Sequence, residues 1–267
     1  MTTALLIIDP QNDFMDSPDF KGSLAVPGAY ADTLRLCEHI NKDQPDAITV
    51  TLDTHSRYDI SHGLWWVDVE GKNPSPFTII SIGDVESGKW KSYDSEQQDY
   101  SLFYVKELAK KGNYPLCIWP YHVIKGTKGH EVEQNLKAVL VDWEKSTGHK
   151  VSYVYKGMNP KTEHYSALKA EVELDDEDTK LNVSLIEQLK AFDKIKIAGQ
   201  AKSHCVSGST IDLLENIGQE HVAKIEILED CMSSVPGFES QGEQFIINAK
   251  KMGAQVLKVE KSKSLKM

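Results

Sequence analysis

The sequence predicts an α/β protein in which a mainly parallel, doubly wound sheet of about six strands lies between two layers of helices. Short apolar runs rich in β-branched residues recur along the chain, and segments with helical periodicity or long connections separate them. The first run, residues 4–8, is apolar throughout. This pattern is typical of a parallel strand that helices cover on both faces.

The individual elements are predicted from local composition and periodicity. The apolar runs indicate strands at residues 4–8, 47–52, 151–155, 194–198, 224–228 and 255–259. Apolar residues at helical spacing indicate helices near residues 27–42, 100–111, 129–147, 182–191, 204–217 and 240–252. The clearest apolar stripe consists of Ile211, Leu214 and Ile217.

Residues 63–120 do not follow this alternation of strand and helix. The segment is rich in Gly, Pro, Ser and aromatic residues, and its periodicity is poor. We therefore expect one domain over residues 1–267 with a long insertion at about 63–120, which contains a small β-ribbon at 77–81 and one helix. The aromatic content favours an ordered lid or an interface, and exposed aromatic residues there would favour a homo-oligomer.

The composition argues against two classes of partner. The 267-residue chain has 40% hydrophobic and 26% charged residues, as is usual for a globular protein. Its formal net charge of −10 argues against a surface that binds nucleic acid or an anionic membrane. No stretch approaches the roughly 18 apolar residues that span a membrane. A short basic tail is interpreted as a frayed terminus: Lys258, Lys261, Lys263 and Lys266.

The N-terminus and the cysteines indicate a cytoplasmic protein. The chain begins directly with a strand-like run, without the basic and long apolar segments of a signal peptide. The cysteines are widely spaced and form no CxxC pair: Cys37, Cys117, Cys205 and Cys231. Free thiols in a reducing cytoplasm are therefore expected.

Chemically active residues follow four of the predicted strands. Asp9 follows the first strand, and Asp53 and His55 follow the second. Lys156 follows the third, and Cys205 lies shortly after the fourth, where a helix is predicted to begin. Ligands bind at the carboxyl ends of parallel strands. The sequence therefore predicts an acid, a pair of metal ligands, a cation and a thiol at one edge of the sheet.

Cys205 differs from the other cysteines in its position at a predicted helix start. There the amide dipoles would stabilise a thiolate, which is the reactive form of cysteine. The other three cysteines are interpreted as small buried hydrophobic residues. The neighbouring His204 is a poor base for Cys205, because adjacent residues at a helix start point about 100° apart.

Four segments, in the same order over nearly the whole chain, resemble the isochorismatase-like cysteine hydrolases and, within that family, the nicotinamidases. They are Asp9-x-Gln11-x-Asp13-Phe14, Asp53-x-His55, Lys156-Gly157 and Gly199-x-Ala201-x-x-x-Cys205-Val206. Isochorismatases proper share the fold and lack the nucleophilic cysteine, so Cys205 indicates the amidase branch. Typical nicotinamidases are shorter, and the extra length of this chain falls mainly between His62 and His122.

The resemblance implies a catalytic trio of Asp9, Lys156 and Cys205. Asp9 would act as the general base for the thiol of Cys205, which attacks the amide carbon to form a thioester. Lys156 would stabilise the charge on Asp9 and on the intermediate. The backbone amides of Ala201 and Cys205 would form the oxyanion hole, with a cis peptide between Gln200 and Ala201.

A metal site is predicted on Asp53, His55 and His122, with His62 as a candidate fourth ligand. The Asp-x-His pair supplies two ligands from one short loop, and His122 lies in a Trp-Pro-x-His segment like that of the family. A carboxylate with imidazoles suits one divalent ion, zinc being the first choice and iron or manganese the alternatives. In nicotinamidases this ion receives the ring nitrogen of the substrate, and Phe14 and Trp119 would be the aromatic walls around the ring.

Three functions remain open at this point. The first is hydrolysis of nicotinamide to nicotinic acid and ammonia, a step of NAD salvage. The second is a related cysteine amidase for another small amide or a carbamoyl or ureido compound, because the insertion could reshape the pocket. The third is a non-catalytic binding or scaffold protein with the same fold, which the presence of acid, lysine and cysteine together disfavours.

Overall fold

A six-stranded parallel sheet is the centre of the structure. The structure is a computed structural model, and it describes residues 1–259. The strands are β1 (Thr3–Ile8), β2 (Ala47–Asp53), β3 (Trp66–Val67), β4 (Ile79–Ile80), β5 (Lys91–Ser92), β6 (Leu116–Cys117), β7 (Ser152–Lys156), β8 (Lys194–Gly199), β9 (Ile225–Leu228) and β10 (Gln255–Leu257). The helices are α1 (Ala29–Asp43), α2 (Ile82–Glu86), α3 (Gln98–Lys111), α4 (Gln134–Thr147), α5 (Val183–Lys190), α6 (Ser207–Asn216) and α7 (Glu239–Met252). Across the sheet the strand order is β10-β9-β8-β1-β2-β7.

Helices cover both faces of this sheet. Side chains alternate between the two faces of a strand, so the continuous apolar run of β1 serves two cores. Leu5 and Ile7 pack in one core with residues of α1 and α4. Leu6 and Ile8 pack in the other core with residues of α5, α6 and α7. This arrangement confirms the predicted three-layer α/β/α fold.

Two helices begin later than the periodicity predicts. The helix expected from residue 129 begins at Gln134, because the Glu133 side chain accepts hydrogen bonds from the Asn135 and Leu136 amides and caps the helix there. The helix expected from residue 204 begins at Ser207, and a turn of π-helix over Lys202–Val206 precedes it.

The segment 63–120 leaves the sheet between β2 and β7 and contains more structure than predicted. Two short antiparallel ribbons, β3 with β5 and β4 with β6, replace the one expected ribbon. Both α2 and α3 lie here, where the sequence predicts one helix. Aromatic residues of the segment, among them Trp65, Trp66 and Tyr104, are buried in a small core of their own. Its aromatic content therefore goes largely into local packing.

No helix within residues 1–259 is long and apolar enough to cross a lipid bilayer. Of the basic tail, Lys261, Lys263 and Lys266 lie outside the described residues. The four cysteines are free and buried, and Cys37, Cys117 and Cys231 pack in apolar cores as predicted.

At the end of β8, the position of Gly199 leaves no room for a side chain. Gly199 has φ +121°, and a Cβ atom there would overlap the carbonyl oxygen of Ile8 on the paired strand β1. Gly71 also has a positive φ, +79°, but nothing lies within 4 Å of its Cβ position. We expect Gly199→Ala to lower the free energy of unfolding by at least about 2 kcal/mol more than Gly71→Ala, as measured by urea denaturation. Equal losses in the two variants would contradict the close approach of β8 to β1.

Candidate active site

The register of the sheet brings the predicted residues to one edge. Asp53 and Lys156 are the last residues of β2 and β7, and they pair directly across these neighbouring strands. Asp9 follows β1, which lies between β2 and β8. Cys205 lies in the turn of π-helix that follows β8. The parallel direction of the strands therefore assembles the site.

The ammonium group of Lys156 is at the centre of this site. Its Nζ lies 3.0 Å from Asp9 Oδ2, 3.0 Å from Asp53 Oδ1 and 3.6 Å from Cys205 Sγ. It also donates a hydrogen bond of 2.7 Å to the carbonyl oxygen of His164. All of these side chains are buried, so the charges interact with little screening by water.

The Asp9 carboxylate is oriented by β2. The Thr51 hydroxyl donates a 2.5 Å hydrogen bond to Asp9 Oδ1 and accepts one of 3.0 Å from the Asp9 amide. The backbone of Asp9 is in the left-handed region, with φ +43°. The other carboxylate oxygen, Oδ2, therefore faces Lys156.

Burial sets the protonation of the trio. Burial raises the pKa of the Cys205 thiol well above its ordinary value, and the Lys156 ammonium only partly offsets it. Burial also raises the pKa of Asp9, against the opposing charge of Lys156. Burial therefore opposes the thiolate that the helix start is expected to stabilise at Cys205. A buried thiol of this kind needs a base to become a nucleophile.

The backbone before Cys205 has a free donor. The peptide bond between Gln200 and Ala201 is cis, as the resemblance implies. Among the described residues the Ala201 amide has no hydrogen-bond acceptor, whereas the Gln200 and Lys202 amides donate to Ile8 and Ser233. Ala201 and Cys205 both line the pocket beside the trio. An amide left free at such a pocket can stabilise negative charge on a ligand.

Asp53, His55 and His122 form a group with the geometry of a metal site. Their ligating atoms all lie within 4.8 Å of one another, and the three residues are buried. His55 Nδ1 lies 3.0 Å from Asp59 Oδ2, which leaves Nε2 directed at Asp53. Metal-binding histidines typically donate the second ring nitrogen to a carboxylate in this way. The residues therefore fit a divalent ion.

The electrostatics of this group also favour a cation. Burial alone would lower the pKa of the His55 imidazole, but the carboxylates of Asp53 and Asp59 raise it well above its ordinary value. Burial raises the pKa of the nearby Glu163 carboxyl to about 6. Several carboxylates thus share a buried space in which a cation offsets their repulsion.

The candidate fourth ligand His62 lies next to the group. Its Nε2 atom is 3.3 Å from His122 Nδ1, and its Nδ1 atom is 3.0 Å from the carbonyl oxygen of Ser56. The cluster of three found among residues 1–259 does not include His62. Its role as a ligand stays a prediction.

The pocket has aromatic walls. Phe14 and Trp119 line it, together with Cys205 and the metal-site residues Asp53 and His122. Asp13 Oδ2 accepts a 2.7 Å hydrogen bond from the Val123 amide, which holds the turn that carries Phe14 against the segment that carries His122. The pocket therefore combines aromatic walls with the thiol and two residues of the metal group.

Some residues that line the pocket are not among the site residues predicted from the sequence. Glu163, Tyr165 and His204 also line the pocket. The sequence predicts that His204 is a poor base for Cys205. Its Nδ1 lies 2.9 Å from Ser203 Oγ, and its ring stacks on Tyr114. The signal that could have identified Glu163 and Tyr165 is their position in the loop that leaves the Lys156 strand end.

A larger cavity adjoins the pocket. It has a volume of about 680 Å³ and shares Tyr165 and His204 with the pocket, which is much smaller at about 30 Å³. The insertion contributes Lys111, Tyr114 and Pro115 to its wall. The insertion thus contributes to the wall of a cavity next to the pocket.

Comparisons with known proteins bear on the fold. No family model matches the sequence, and no curated protein matches it. Among solved structures, the Acinetobacter baumannii nicotinamidase/pyrazinamidase is 19% identical with a TM-score of 0.64, over 97% of this chain and 96% of that chain. Yeast nicotinamidase Pnc1p is 19% identical with a TM-score of 0.65, over 96% of this chain and 99% of that one. Pyrococcus horikoshii pyrazinamidase, solved in complex with zinc, is 18% identical with a TM-score of 0.57, over 97% of this chain and 99% of that chain. Over nearly its whole length, the chain has the fold of the nicotinamidases and pyrazinamidases.

Proposed function

We propose that the protein is an amidohydrolase that converts nicotinamide to nicotinic acid and ammonia through a thioester on Cys205. The observation that carries the proposal is the buried trio, in which Lys156 Nζ lies 3.0 Å from Asp9 Oδ2 and 3.6 Å from Cys205 Sγ. A base, a cation and a thiol buried together at a pocket are the groups that acyl transfer through a thioester requires. Solved nicotinamidases that share the fold over nearly the whole chain support the choice of substrate.

The first half of the reaction forms the thioester. Asp9 takes the thiol proton of Cys205, and the sulfur attacks the carbonyl carbon of the amide. The Ala201 amide, which has no acceptor among the described residues, stabilises the oxyanion of the tetrahedral intermediate. The intermediate collapses when the carbon–nitrogen bond breaks, and Asp9 returns the proton to the leaving nitrogen so that ammonia departs.

The second half hydrolyses the thioester. A water molecule attacks the thioester carbonyl carbon and gives a proton to Asp9. The carbon–sulfur bond then breaks, the thiol is restored with the proton from Asp9, and the carboxylic acid leaves. Lys156 remains protonated throughout, because the Asp53 and Asp9 carboxylates raise its pKa above the ordinary value despite its burial.

Asp53, His55 and His122 would hold one divalent ion, for which we propose zinc. The zinc complex of the Pyrococcus horikoshii pyrazinamidase supports this choice, with iron and manganese as alternatives. When bound, the ion supplies a coordination position for the ring nitrogen of the substrate. Phe14 and Trp119 would bind the faces of the ring, as their position in the pocket supports.

The same proposal includes the cellular setting. Four free, buried cysteines support a reducing compartment, and we propose the cytoplasm. We also propose that residues 63–120 belong to the same domain as the sheet, because Trp119 lines the pocket together with Cys205. A small-molecule amide is the partner that the buried trio and the solved nicotinamidases support.

Turnover of nicotinamide tests the proposed function. We expect zinc-loaded protein to release ammonia from nicotinamide, and to act at least about tenfold more slowly on benzamide, which lacks the ring nitrogen. Cys205→Ala should reduce turnover by more than about a thousandfold, because the nucleophile is lost. Ammonia release is measured with a coupled enzyme assay, before and after chelation.

The matched control is Cys231→Ala, which removes another buried thiol from the apolar core beside α1. This variant should keep wild-type turnover. If the zinc-loaded wild type leaves nicotinamide intact, the assignment fails, and other small amides and carbamoyl compounds become the substrates to screen.

A metal prediction follows from the contact between Asp59 and His55. Asp59→Ala should weaken zinc binding about 10- to 100-fold, because the imidazole loses the carboxylate that orients it. Competition with a chromophoric chelator measures the affinity. Asp84→Ala is the control, since Asp84 caps α2 in the insertion. Equal zinc affinity in the two variants would show that Asp59 does not support the site.

A further inference from the structure

The side chain of Gln200 joins two distant parts of the chain next to the nucleophile. Its Nε2 atom donates a 3.0 Å hydrogen bond to Asp32 Oδ2 on α1. Its Oε1 atom accepts a 3.2 Å hydrogen bond from the Ser233 amide, in the loop after β9. Gln200 is buried, so both ends of its amide group are held by protein partners.

Asp32 is a buried carboxylate that the reaction steps above do not use. Its side chain is only 4% exposed, and its second oxygen accepts a hydrogen bond from Arg35. Arg35 in turn donates a 2.7 Å hydrogen bond to the carbonyl oxygen of Asp230. Burying a carboxylate is costly unless its oxygens are hydrogen-bonded. Asp32 satisfies this condition by binding Gln200 and Arg35, and we call Asp32, Gln200 and Ser233 the Asp32 clamp.

The clamp allows only one orientation of the Gln200 amide group. A carboxylate can only accept a hydrogen bond and a backbone amide can only donate one, so Nε2 must face Asp32 and Oε1 must face Ser233. A rotated amide group would set donor against donor and acceptor against acceptor. The side chain therefore holds its own backbone at a defined distance from α1.

Hydrogen bonds fix the backbone on both sides of Ala201. The Gln200 amide donates 2.8 Å to the carbonyl oxygen of Ile8, and the Lys202 amide donates 2.8 Å to the carbonyl oxygen of Ser233. Between them lies the Ala201 amide, which has no acceptor within residues 1–259. Ala201 lines the pocket, whereas Asp32 does not. Asp32 can thus affect the pocket through Gln200, which it binds directly.

We propose that Asp32 is a positioning residue, which acts through Gln200 to hold the Ala201 amide where it stabilises the oxyanion during thioester formation. The catalytic part of this inference rests on the proposed function. An oxyanion donor acts only when it is held in place before the charge develops. A misplacement of about 1 Å can cost about a hundredfold in rate.

The test compares Asp32→Leu, which removes the acceptor of Gln200, with Asp32→Asn, which keeps one oxygen to accept. Asp43→Leu is the matched control, because Asp43 is on the same helix and pairs with Lys196 at 2.7 Å, away from the nucleophile loop. The measurements are kcat and KM with nicotinamide, and hydrogen–deuterium exchange of the peptide 199–206. Exchange requires no substrate.

We expect Asp32→Leu to lower kcat about 10- to 100-fold with little change in KM, and to speed exchange in the peptide 199–206. Asp32→Asn should stay within about fivefold of wild type, because the hydrogen bond to Gln200 persists. Asp43→Leu should change neither quantity. A purely structural role would give no difference between Asp32→Leu and Asp43→Leu once both are folded.

A second variant covers failure of Asp32→Leu to fold, and the exchange measurement covers failure of the proposed function. If Asp32→Leu does not fold, Gln200→Met removes both hydrogen bonds with a side chain of similar size, and the same results are expected of it. If the wild type does not hydrolyse nicotinamide, the proposed function fails. The exchange data then still test whether the Asp32 clamp holds the backbone of residues 199–206. Exchange in 199–206 that matches wild type in the folded variant would overturn the inference.

Discussion

One buried ammonium group between two carboxylates is the interaction on which the site depends. Lys156 Nζ lies 3.0 Å from an oxygen of Asp9 and 3.0 Å from an oxygen of Asp53. Moving an ion out of water costs several kcal/mol, so each of the three charges is tolerated because the others are present. Asp9 belongs to the proposed catalytic trio and Asp53 to the proposed metal group. The shared lysine therefore couples the two halves of the site.

The parallel sheet explains why these charges meet. Register pairs Asp53 with Lys156 at the ends of β2 and β7, and it pairs Ile8, the residue before Asp9, with Gly199 at the end of β8. The fold thus brings the acid, the cation and the thiol loop to strand ends at one edge of the sheet. Side-chain hydrogen bonds add orientation: Thr51 in β2 orients Asp9, and Gln200 holds the segment before Cys205.

The fold and the trio could be predicted because each has a local sequence signal. The apolar runs identify the strands, and Asp9, Lys156 and Cys205 stand where those strands end. The ribbons of the insertion were harder to predict, since strands of two residues have no periodicity. Asp59 carries no strand-end signal, and Glu163 has only its place in the loop after β7. Both act on the site through tertiary contacts. The burial of Cys205, which raises the pKa of its thiol, has no local sequence signal because it depends on the whole fold.

Acid-quenched mass spectrometry can detect the acyl group that we propose on Cys205. Zinc-loaded protein is mixed with excess nicotinamide, quenched in acid within the first turnovers and digested with pepsin. We expect the mass of one nicotinoyl group on the peptide that contains Cys205, and none in Cys205→Ala. Steady turnover of nicotinamide with no acyl group on Cys205 at any quench time, or with the group on another residue, would contradict it.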